Sequence, residues 1–176
     1  MSATPVPPRL ATVRLGRTGL QVTRTAFGVL PLQRTAMPEA VRILRRAYEA
    51  GITFYDTAHG YTDSEEKIGA ALADVRDQVI LATKTPSTTR DGVLADVETS
   101  LRRLRTDRLD ILQLHNPSRL PDRDDPNSSW AGLLEARRQG KVRFFGFTNH
   151  SLDRALEAAR SGLFDTIQFP LTTLSD

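Results

Sequence analysis

Short apolar runs alternate with longer amphipathic stretches along most of the chain. The apolar runs are rich in Val, Ile, Leu and Phe, which is typical of strands buried on both faces of a parallel sheet. Six such strands are predicted, at residues 25–29, 53–56, 79–83, 109–114, 142–146 and 166–169. Helical periodicity fills the intervals between them. The alternation predicts an α/β fold, with a parallel sheet and helices packed outside it.

Residues that commonly start helices stand at the heads of the amphipathic stretches. The predicted starts include Pro38, Asp63, Ser128 or Ser129, and Ser151. Glu66 follows Asp63 by three residues and would complete a capping box. The side chains expected to face inward include Ile68, Ala71, Leu72, Val75, Val93, Val97, Leu101 and Leu104.

A pair of short apolar runs precedes the first strand of the alternation. The runs TVRL and LQVT flank a turn at Gly16–Gly19, which predicts a β-hairpin. The chain before it, MSATPVPPRLA, is rich in Pro and lacks the long apolar core of a secretory signal. We therefore expect a flexible tail over residues 1–12 and the folded domain over residues 13–176.

Composition narrows the classes of protein further. The 176 residues carry a formal net charge of +3, and no basic block interleaved with aromatic residues suggests a nucleic-acid surface. No apolar run approaches the ~18 residues of a membrane span. The chain has no cysteine, which excludes disulfides, thiolate nucleophiles and iron–sulfur clusters. These features predict a soluble cytoplasmic protein that binds neither nucleic acid nor membrane.

Polar residues follow several different strands of the predicted sheet. Asp56 closes the second strand, with Tyr61 just beyond it, and Lys84 and His115 follow the third and fourth strands. In a (β/α) barrel, side chains at these strand ends converge at one mouth. A doubly wound nucleotide-binding fold is the main alternative, and it would favour G-x-G-x-x-G after the first strand. AFGVLPLQR offers one glycine there, so the barrel is preferred.

The four polar side chains suit proton transfer to a carbonyl. Tyrosine ionises near pH 10, and the Lys84 ammonium is expected to lower the pKa of Tyr61 so that its hydroxyl gives a proton near neutrality. Asp56 would hold Lys84 protonated, and His115 would donate a hydrogen bond to the same substrate oxygen. Completing a reduction needs hydride at carbon, which no side chain supplies, so a nicotinamide cofactor is predicted.

Each of these residues also has a structural interpretation on its own. Asp56 suits a turn, Lys84 a surface, Tyr61 the edge of a core and His115 a loop. The functional interpretation is preferred because all four stand together at strand ends.

Three further residues lie outside the predicted catalytic set. His59 and His150 neighbour it but lack ligand spacing, so no metal is predicted. His59 is a candidate for touching substrate, and His150 for shaping the cofactor loop. Trp130 is expected in a core between helices.

From Val13 to Phe169 the chain resembles the aldo-keto reductases. The motifs that carry the resemblance are LGRTGLQV, GITFYDTAHGYTDSEEKIGAAL, ATK, LQLHNP and GFTNHS. The resemblance implies a (β/α)8 TIM barrel, its bottom closed by the hairpin, and NADPH-dependent reduction of an aldehyde or ketone. It implies catalytic roles for Asp56, Tyr61, Lys84 and His115. The cofactor-binding residues that it implies are Gly28, Asp56, Thr148, Asn149 and Gln168, with Thr148 and Asn149 matching a Ser–Asn pair on the nicotinamide carboxamide.

The chain departs from the family pattern in strand number. Six strands are predicted where the family barrel has eight, so we expect a barrel truncated after the sixth strand, with open edges that favour self-association. The resemblance implies that the missing segment contributes contacts to the pyrophosphate and the adenine, so NADPH binding is expected to be weak. GVLPLQR, TDSEEKIG and FTNHS resemble a bacterial branch that often carries an iron–sulfur extension, which is absent here. The alternative function is an impaired or non-catalytic binding or regulatory protein with the same fold.

Overall fold

The computed structural model describes residues 10–171, and the chain order of its elements follows the predicted alternation. The strands are β1 Thr12–Arg14, β2 Gln21–Thr23, β3 Phe27–Gly28, β4 Phe54–Asp56, β5 Ile80–Thr85, β6 Leu109–His115, β7 Val142–Thr148 and β8 Thr166–Gln168. The α-helices are α1 Met37–Glu49, α2 Ser64–Leu72, α3 Arg90–Leu104, α4 Ser129–Arg138 and α5 Leu152–Ser161. Short 3₁₀ helices cover Gly16–Thr18, Leu30–Arg34 and Ala73–Gln78.

Strands β3 to β8 form one parallel sheet in which every strand lies beside its neighbour in chain order. The larger hydrophobic core lies between this sheet and the helices, and it includes Leu44, Leu112 and Phe145. Tight contacts hold α2 against α3, since a Cβ on Gly69 would lie 2.3 Å from the Arg103 carbonyl oxygen. The α/β fold with a parallel sheet is confirmed. In the described chain β3 and β8 are the outer strands, and self-association through them stays a prediction.

The predicted hairpin is confirmed and covers one end of the sheet. β1 pairs antiparallel with β2. Leu20 and Val22 of the hairpin join Ala82 and Ile111 of the sheet in a second, smaller apolar cluster. Ala82 and Ile111 precede Lys84 and His115 on their strands by two and four residues, on the same face because the side-chain period is two. The hairpin therefore seals the end of this face that is remote from the predicted site.

The helix starts show which local predictions succeed. Ser128 accepts a hydrogen bond from the Ala131 amide, and Ser151 accepts one from the Arg154 amide, so both act as N-caps. The capping box predicted at Asp63 and Glu66 is wrong, because Asp63 makes no side-chain bond to the start of α2.

The Asp63 carboxylate has a stronger partner than the helix start. Its Oδ1 accepts from the Lys67 Nζ at 2.6 Å, and the same ammonium donates to the Leu32 carbonyl oxygen at 2.8 Å. A charge-assisted bond to this buried ammonium replaces the weaker cap.

Several predicted details shift in the structure. β5 extends to Thr85, so Lys84 lies within the strand instead of after it, and β7 extends to Thr148. Val75 is only partly buried, unlike the other side chains expected inside. Trp130 lies edge-on to Phe145 of β7, so it packs between helix and sheet, not between helices.

The ends of the domain are partly outside the structure. Residues 1–9 of the predicted tail and residues 172–176 lie outside the described residues, while Thr12 already pairs with Thr23 in the hairpin. Among residues 10–171, none of the helices combines the length and the apolar character that a transmembrane span requires.

Candidate functional site

The inner face of the sheet carries a polar cluster beyond the hairpin end. Asp56 ends β4, Lys84 lies on β5, and Gln113 lies on β6 in register with Lys84. His115 is two residues further along β6 and pairs with Thr148 of β7. Because side chains alternate between faces with a period of two, Gln113 and His115 project to the same side. The strand ends thus bring Asp56, Lys84 and His115 together at one mouth, with Gln113 beside them.

A buried ion pair forms the base of the cluster. The Lys84 Nζ lies 2.5 Å from Asp56 Oδ1 and donates to the Thr57 carbonyl oxygen at 2.7 Å. The Lys84 side chain is 3% exposed and that of Asp56 is 16% exposed. The other carboxylate oxygen of Asp56 accepts from Gln113 Nε2 at 2.9 Å. Because both oxygens have donors, the carboxylate is held in one orientation and the ammonium is kept paired.

Tyr61 lies against this pair. The Lys84 Nζ is 5.0 Å from the centroid of the Tyr61 ring, within range of a cation–π contact. The expected lowering of the Tyr61 pKa is wrong: burial of the phenol raises its pKa above 10.0, and the Asp56 carboxylate raises it further. Desolvation disfavours the phenolate, and the nearby carboxylate repels it. Tyr61 is therefore a protonated phenol at neutral pH.

His115 meets Tyr61 at an edge. The two ring centroids are 5.6 Å apart, with an interplanar angle of 81°. Burial lowers the pKa of His115 below 6.5, and the Lys84 ammonium lowers it further, against the opposing effect of Asp56. Near pH 7 the imidazole is thus mostly neutral, with one N–H to donate. A neutral donor beside a protonated phenol suits an oxygen that gains negative charge.

The residues that the sequence predicts for the site share one cavity. It has a volume of about 310 Å³ and opens between the outer strands, with Gly28 of β3 at one side and Gln168 of β8 at the other. All eight residues predicted from the sequence line it, namely Gly28, Asp56, Tyr61, Lys84, His115, Thr148, Asn149 and Gln168. Their individual roles stay predictions, but their convergence is a property of the fold.

The side of the cavity formed by β7 and β8 carries amides and a hydroxyl. Asn149 is buried, donates from Nδ2 to the Pro117 carbonyl oxygen at 2.9 Å, and accepts from the Ser151 amide at 2.9 Å. An asparagine side chain has two donor hydrogens and two acceptor lone pairs, so it keeps one of each for a ligand. The backbone N–H of Asn149 donates to the backbone carbonyl oxygen of Gln168 at 3.2 Å. This bond holds the two residues, whose side-chain amides are both predicted to bind cofactor, next to each other.

The two histidines outside the predicted set differ in position. His150 lines the same cavity and is exposed. The His59 Nε2 lies 3.5 Å from Asp96 Oδ1, so the imidazole turns toward α3, and the proposed contact with substrate gains no support. Among residues 10–171, no three His, Asp or Glu side chains assemble into a group that could hold a metal ion.

Sequence reasoning missed two residues that shape the site. Gln113 orients Asp56, and Gly146 makes room for Gln113, because a Cβ on Gly146 would lie 2.7 Å from Gln113 Cγ. The clue in LDILQLH was a polar residue at a buried strand position, two residues before His115 and so on the same face of the sheet. Buried polar groups need partners, so such a residue points toward another polar group on the same face.

Comparison with known proteins places these features in context. The family model described as "Aldo/keto reductase family" matches residues 24–172. The aldo-keto reductase YhdN of Bacillus subtilis (strain 168) is 32% identical over 172 residues, which cover 87% of this chain and 51% of YhdN. The chain spans about half the length of the curated relatives it matches.

Solved structures give the same picture of the fold. The holo form of the aldo-keto reductase AKR11C1 from Bacillus halodurans superposes with a TM-score of 0.79 and 28% identity, over 93% of this chain and 58% of that protein. A Bombyx mori aldo-keto reductase in complex with NADP gives a TM-score of 0.75 at 22% identity, over 93% of this chain and 59% of that one, and shows likeness of fold alone. The six-stranded sheet therefore corresponds to part of a TIM-type barrel.

Proposed function

Since the chain belongs to the aldo/keto reductase family, we propose that it reduces an aldehyde or ketone to the alcohol with NADPH, with Tyr61 as the proton donor. The observation that carries the proposal is the convergence of Tyr61, His115 and the Asp56–Lys84 pair on one cavity. A phenol, a neutral imidazole and a paired ammonium around one space suit a carbonyl oxygen that becomes an alkoxide during reaction.

The residues on the cavity wall fit a nicotinamide cofactor. A Cβ on Gly28 would meet nothing within 4 Å, so the chain leaves open space beside the Gly28 backbone. On the opposite side, Asn149 and Gln168 offer amides and Thr148 a hydroxyl, groups that pair with a carboxamide. Membership of the aldo/keto reductase family supports the choice of NADPH as cofactor. When bound, the reduced nicotinamide would supply hydride to the carbonyl carbon.

The side chains of the protein would supply the proton and the electrostatic stabilisation of the substrate carbonyl oxygen. Tyr61 would transfer its phenolic proton to the carbonyl oxygen as charge develops there, and the resulting phenolate would lie beside the Lys84 ammonium. Lys84 thus matters after the proton has moved, since its charge stabilises the product phenolate more than the starting phenol. His115 would hold the substrate oxygen through its single N–H.

Asp56 would act on Lys84, and Gln113 on Asp56. With one oxygen on the ammonium and the other on the Gln113 amide, the carboxylate is fixed in place. Its negative charge also raises the pKa of Tyr61, so the phenol stays protonated until negative charge develops on the substrate oxygen.

The test is Tyr61→Phe, assayed by NADPH oxidation with a panel of aldehydes and ketones. No described residue hydrogen-bonds the Tyr61 hydroxyl, and phenylalanine keeps the ring against Lys84 and His115, so the fold should be unaffected. We expect kcat to fall by roughly 10²–10⁴-fold, with NADPH affinity unchanged.

Tyr48→Phe is the matched control, because Tyr48 loses only an exposed hydrogen bond to Gln78 on the helix side. Near-normal turnover in Tyr61→Phe would reject Tyr61 as the donor. If the wild-type chain bound NADPH and reduced no carbonyl, a binding or regulatory role would replace the enzymatic one.

A further inference from the structure

A separate cavity lies among the helices, apart from the proposed catalytic site. Its volume is about 340 Å³, within the roughly 300–1,000 Å³ of small-molecule sites. The residues that line it come from the start of α1, from α2 and from the end of α3, namely Met37, Glu66, Ala70, Arg102, Arg103 and Arg105. None of these six lines the cavity that holds Tyr61 and His115.

One of the three guanidinium groups in this lining is anchored by the protein itself. The Arg103 Nη1 lies 3.5 Å from Oε2 of Glu65, a carboxylate that is 1% exposed and whose other oxygen accepts from Thr83 Oγ1 at 2.7 Å. The same Nη1 donates to the His59 carbonyl oxygen at 3.3 Å. A Cβ on Gly69 would lie 2.3 Å from the Arg103 carbonyl oxygen, so the backbone of α3 is also held against α2 there. Arg103 therefore provides a positive charge in a fixed position, as a preorganised binding site requires.

The other two guanidinium groups have almost no partners within residues 10–171. The Arg105 side chain makes no hydrogen bond or ion pair, and Arg102 makes one long hydrogen bond, from Nη2 to Thr99 Oγ1 at 3.4 Å. Both residues are exposed. Their side chains are not needed to cap α3, because the Arg105 and Thr106 amides donate to the Arg102 and Leu101 carbonyl oxygens at 3.3 and 3.1 Å. These two guanidinium groups are therefore available to a ligand.

Arg105 has an unusual backbone conformation for an arginine. Its φ is 53°, and it is the residue at which α3 ends. Helices often end on a residue in this left-handed region, and that residue is usually glycine, since a Cβ is disfavoured there. An arginine at this position keeps a guanidinium at the cavity at some cost to stability. Backbone strain of this kind is concentrated at ligand-binding sites, so it agrees with a binding role for Arg105.

The charges of the lining indicate an anionic ligand. Three guanidinium groups share the cavity with one carboxylate, that of Glu66, which is 51% exposed and lies 3.6 Å from the Arg103 Nε. The excess of positive charge suits a phosphate monoester, whose charge near pH 7 is about −1.5 to −2. Guanidinium groups bind phosphate through two parallel N–H···O bonds, and the ester has three terminal oxygens to accept them. Met37 and Ala70 add apolar surface, and the volume exceeds that of a phosphate group, so there is room for an organic part.

We propose that this cavity binds a small phosphate monoester, with its phosphate group on Arg102, Arg103 and Arg105. Arg103 would supply the fixed contact, and the side chains of Arg102 and Arg105 would close onto the remaining phosphate oxygens. Binding is noncovalent, and the ester leaves unchanged. The site is independent of carbonyl reduction, because the two cavities share no lining residue and binding needs neither NADPH nor a carbonyl substrate.

The test is a titration of the full chain with glycerol 3-phosphate at constant ionic strength, followed in ¹H–¹⁵N NMR spectra. We expect saturable shifts of the amides of residues 66–70 and 102–106. Glycerol, which lacks the phosphate, should cause no shifts, and sulfate, which lacks the organic part, should bind more weakly. The proposal would be overturned by shifts that do not saturate, by shifts confined to the catalytic cavity near Asn149 and Gln168, or by sulfate binding as tightly as the ester.

A pair of double variants assigns the binding to the arginines. Arg102→Gln/Arg105→Gln removes two charges from the cavity and should weaken glycerol 3-phosphate binding by at least about tenfold, through the loss of charge-assisted hydrogen bonds. Arg46→Gln/Arg160→Gln is the matched control, because both residues are exposed in the last turns of α1 and α5 and neither lines the cavity. The control changes the net charge equally and should bind as the wild type does. An equal loss in both variants would show that net charge alone attracts the ester and would overturn the site, and the same spectra show whether each variant is folded.

Discussion

Substitutions in the ion pair between Asp56 and Lys84 test how strongly this pair stabilises the protein. Lys84→Met keeps most of the side-chain volume and removes the ammonium. In the variant, Asp56 keeps only the Gln113 amide as a donor, and the Thr57 carbonyl oxygen loses its partner. Asp56→Asn makes the opposite change, leaving a nearly fully buried ammonium beside a neutral amide.

The expected magnitude follows from burial. Breaking a buried pair by removing one partner costs about 3–5 kcal/mol of unfolding free energy. We expect about 3 kcal/mol for Lys84→Met, at the lower end, because the Asp56 side chain is 16% exposed and water can solvate part of the orphaned carboxylate. The double variant Asp56→Asn/Lys84→Met buries no unpaired charge. Its destabilisation should therefore be less than the sum of the two single variants by about 1.5–3 kcal/mol.

The assay is urea unfolding followed by tryptophan fluorescence. Trp130 is the only tryptophan of the chain and packs against Phe145 in the core, so it reports global unfolding. Lys141→Met is the matched control, since Lys141 pairs with Glu98 on the surface, and it should cost about 0–1 kcal/mol. If the effects of Asp56→Asn and Lys84→Met simply added within about 0.5 kcal/mol, the pair would not be energetically coupled and this account of the site would fail.

Three further predictions concern catalysis and packing. His115→Ala should lower kcat for carbonyl reduction by roughly 10²-fold, with partial recovery in His115→Gln; an unchanged rate with several aldehydes would return His115 to a structural role. Reduction needs neutral His115 and protonated Tyr61. The rate should therefore fall on the acidic side only below pH 6.5, as the pH drops through the lowered pKa of His115, and on the basic side only above pH 10.0, as the pH rises through the raised pKa of Tyr61. A loss of rate on the basic side near neutral pH would contradict the raised pKa of Tyr61. Gly146→Ala crowds Gln113 and should cost about 1–3 kcal/mol in urea unfolding, whereas Gly28→Ala, which has open space, should leave stability unchanged.

Much of the fold could be predicted from local pattern. Each apolar run has a length and composition that suit a buried strand, and the observed strands fall within about two residues of the predicted ends. Ser128 and Ser151 start helices because their side chains satisfy amides within three residues, a purely local effect. Asp63 departs from the prediction because its carboxylate pairs with the Lys67 ammonium, four residues along α2, instead of capping the helix start.

Membership of the site was also predictable, for a topological reason. In a parallel sheet all strands end at the same edge, so Asp56, Lys84 and His115 had to meet once their strands were identified. Tyr61 and Asn149 follow strand ends by a few residues and are carried to the same place. The family resemblance supplied the remaining cofactor-binding candidates, and the fold brings them to the same cavity.

The sequence by itself therefore determined the order of strands and helices and the meeting of Asp56, Lys84 and His115 at one edge of the sheet, because both depend on periodicity and on where strands end. The electrostatics of the site were decided by the tertiary structure. Gln113 reaches Asp56 across 57 positions of chain, and the pKa of Tyr61 rises instead of falling. A pKa depends on the sum of burial and of every nearby charge in three dimensions. That sum is fixed only when the strands have packed, and it made Tyr61 a protonated phenol beside a neutral imidazole.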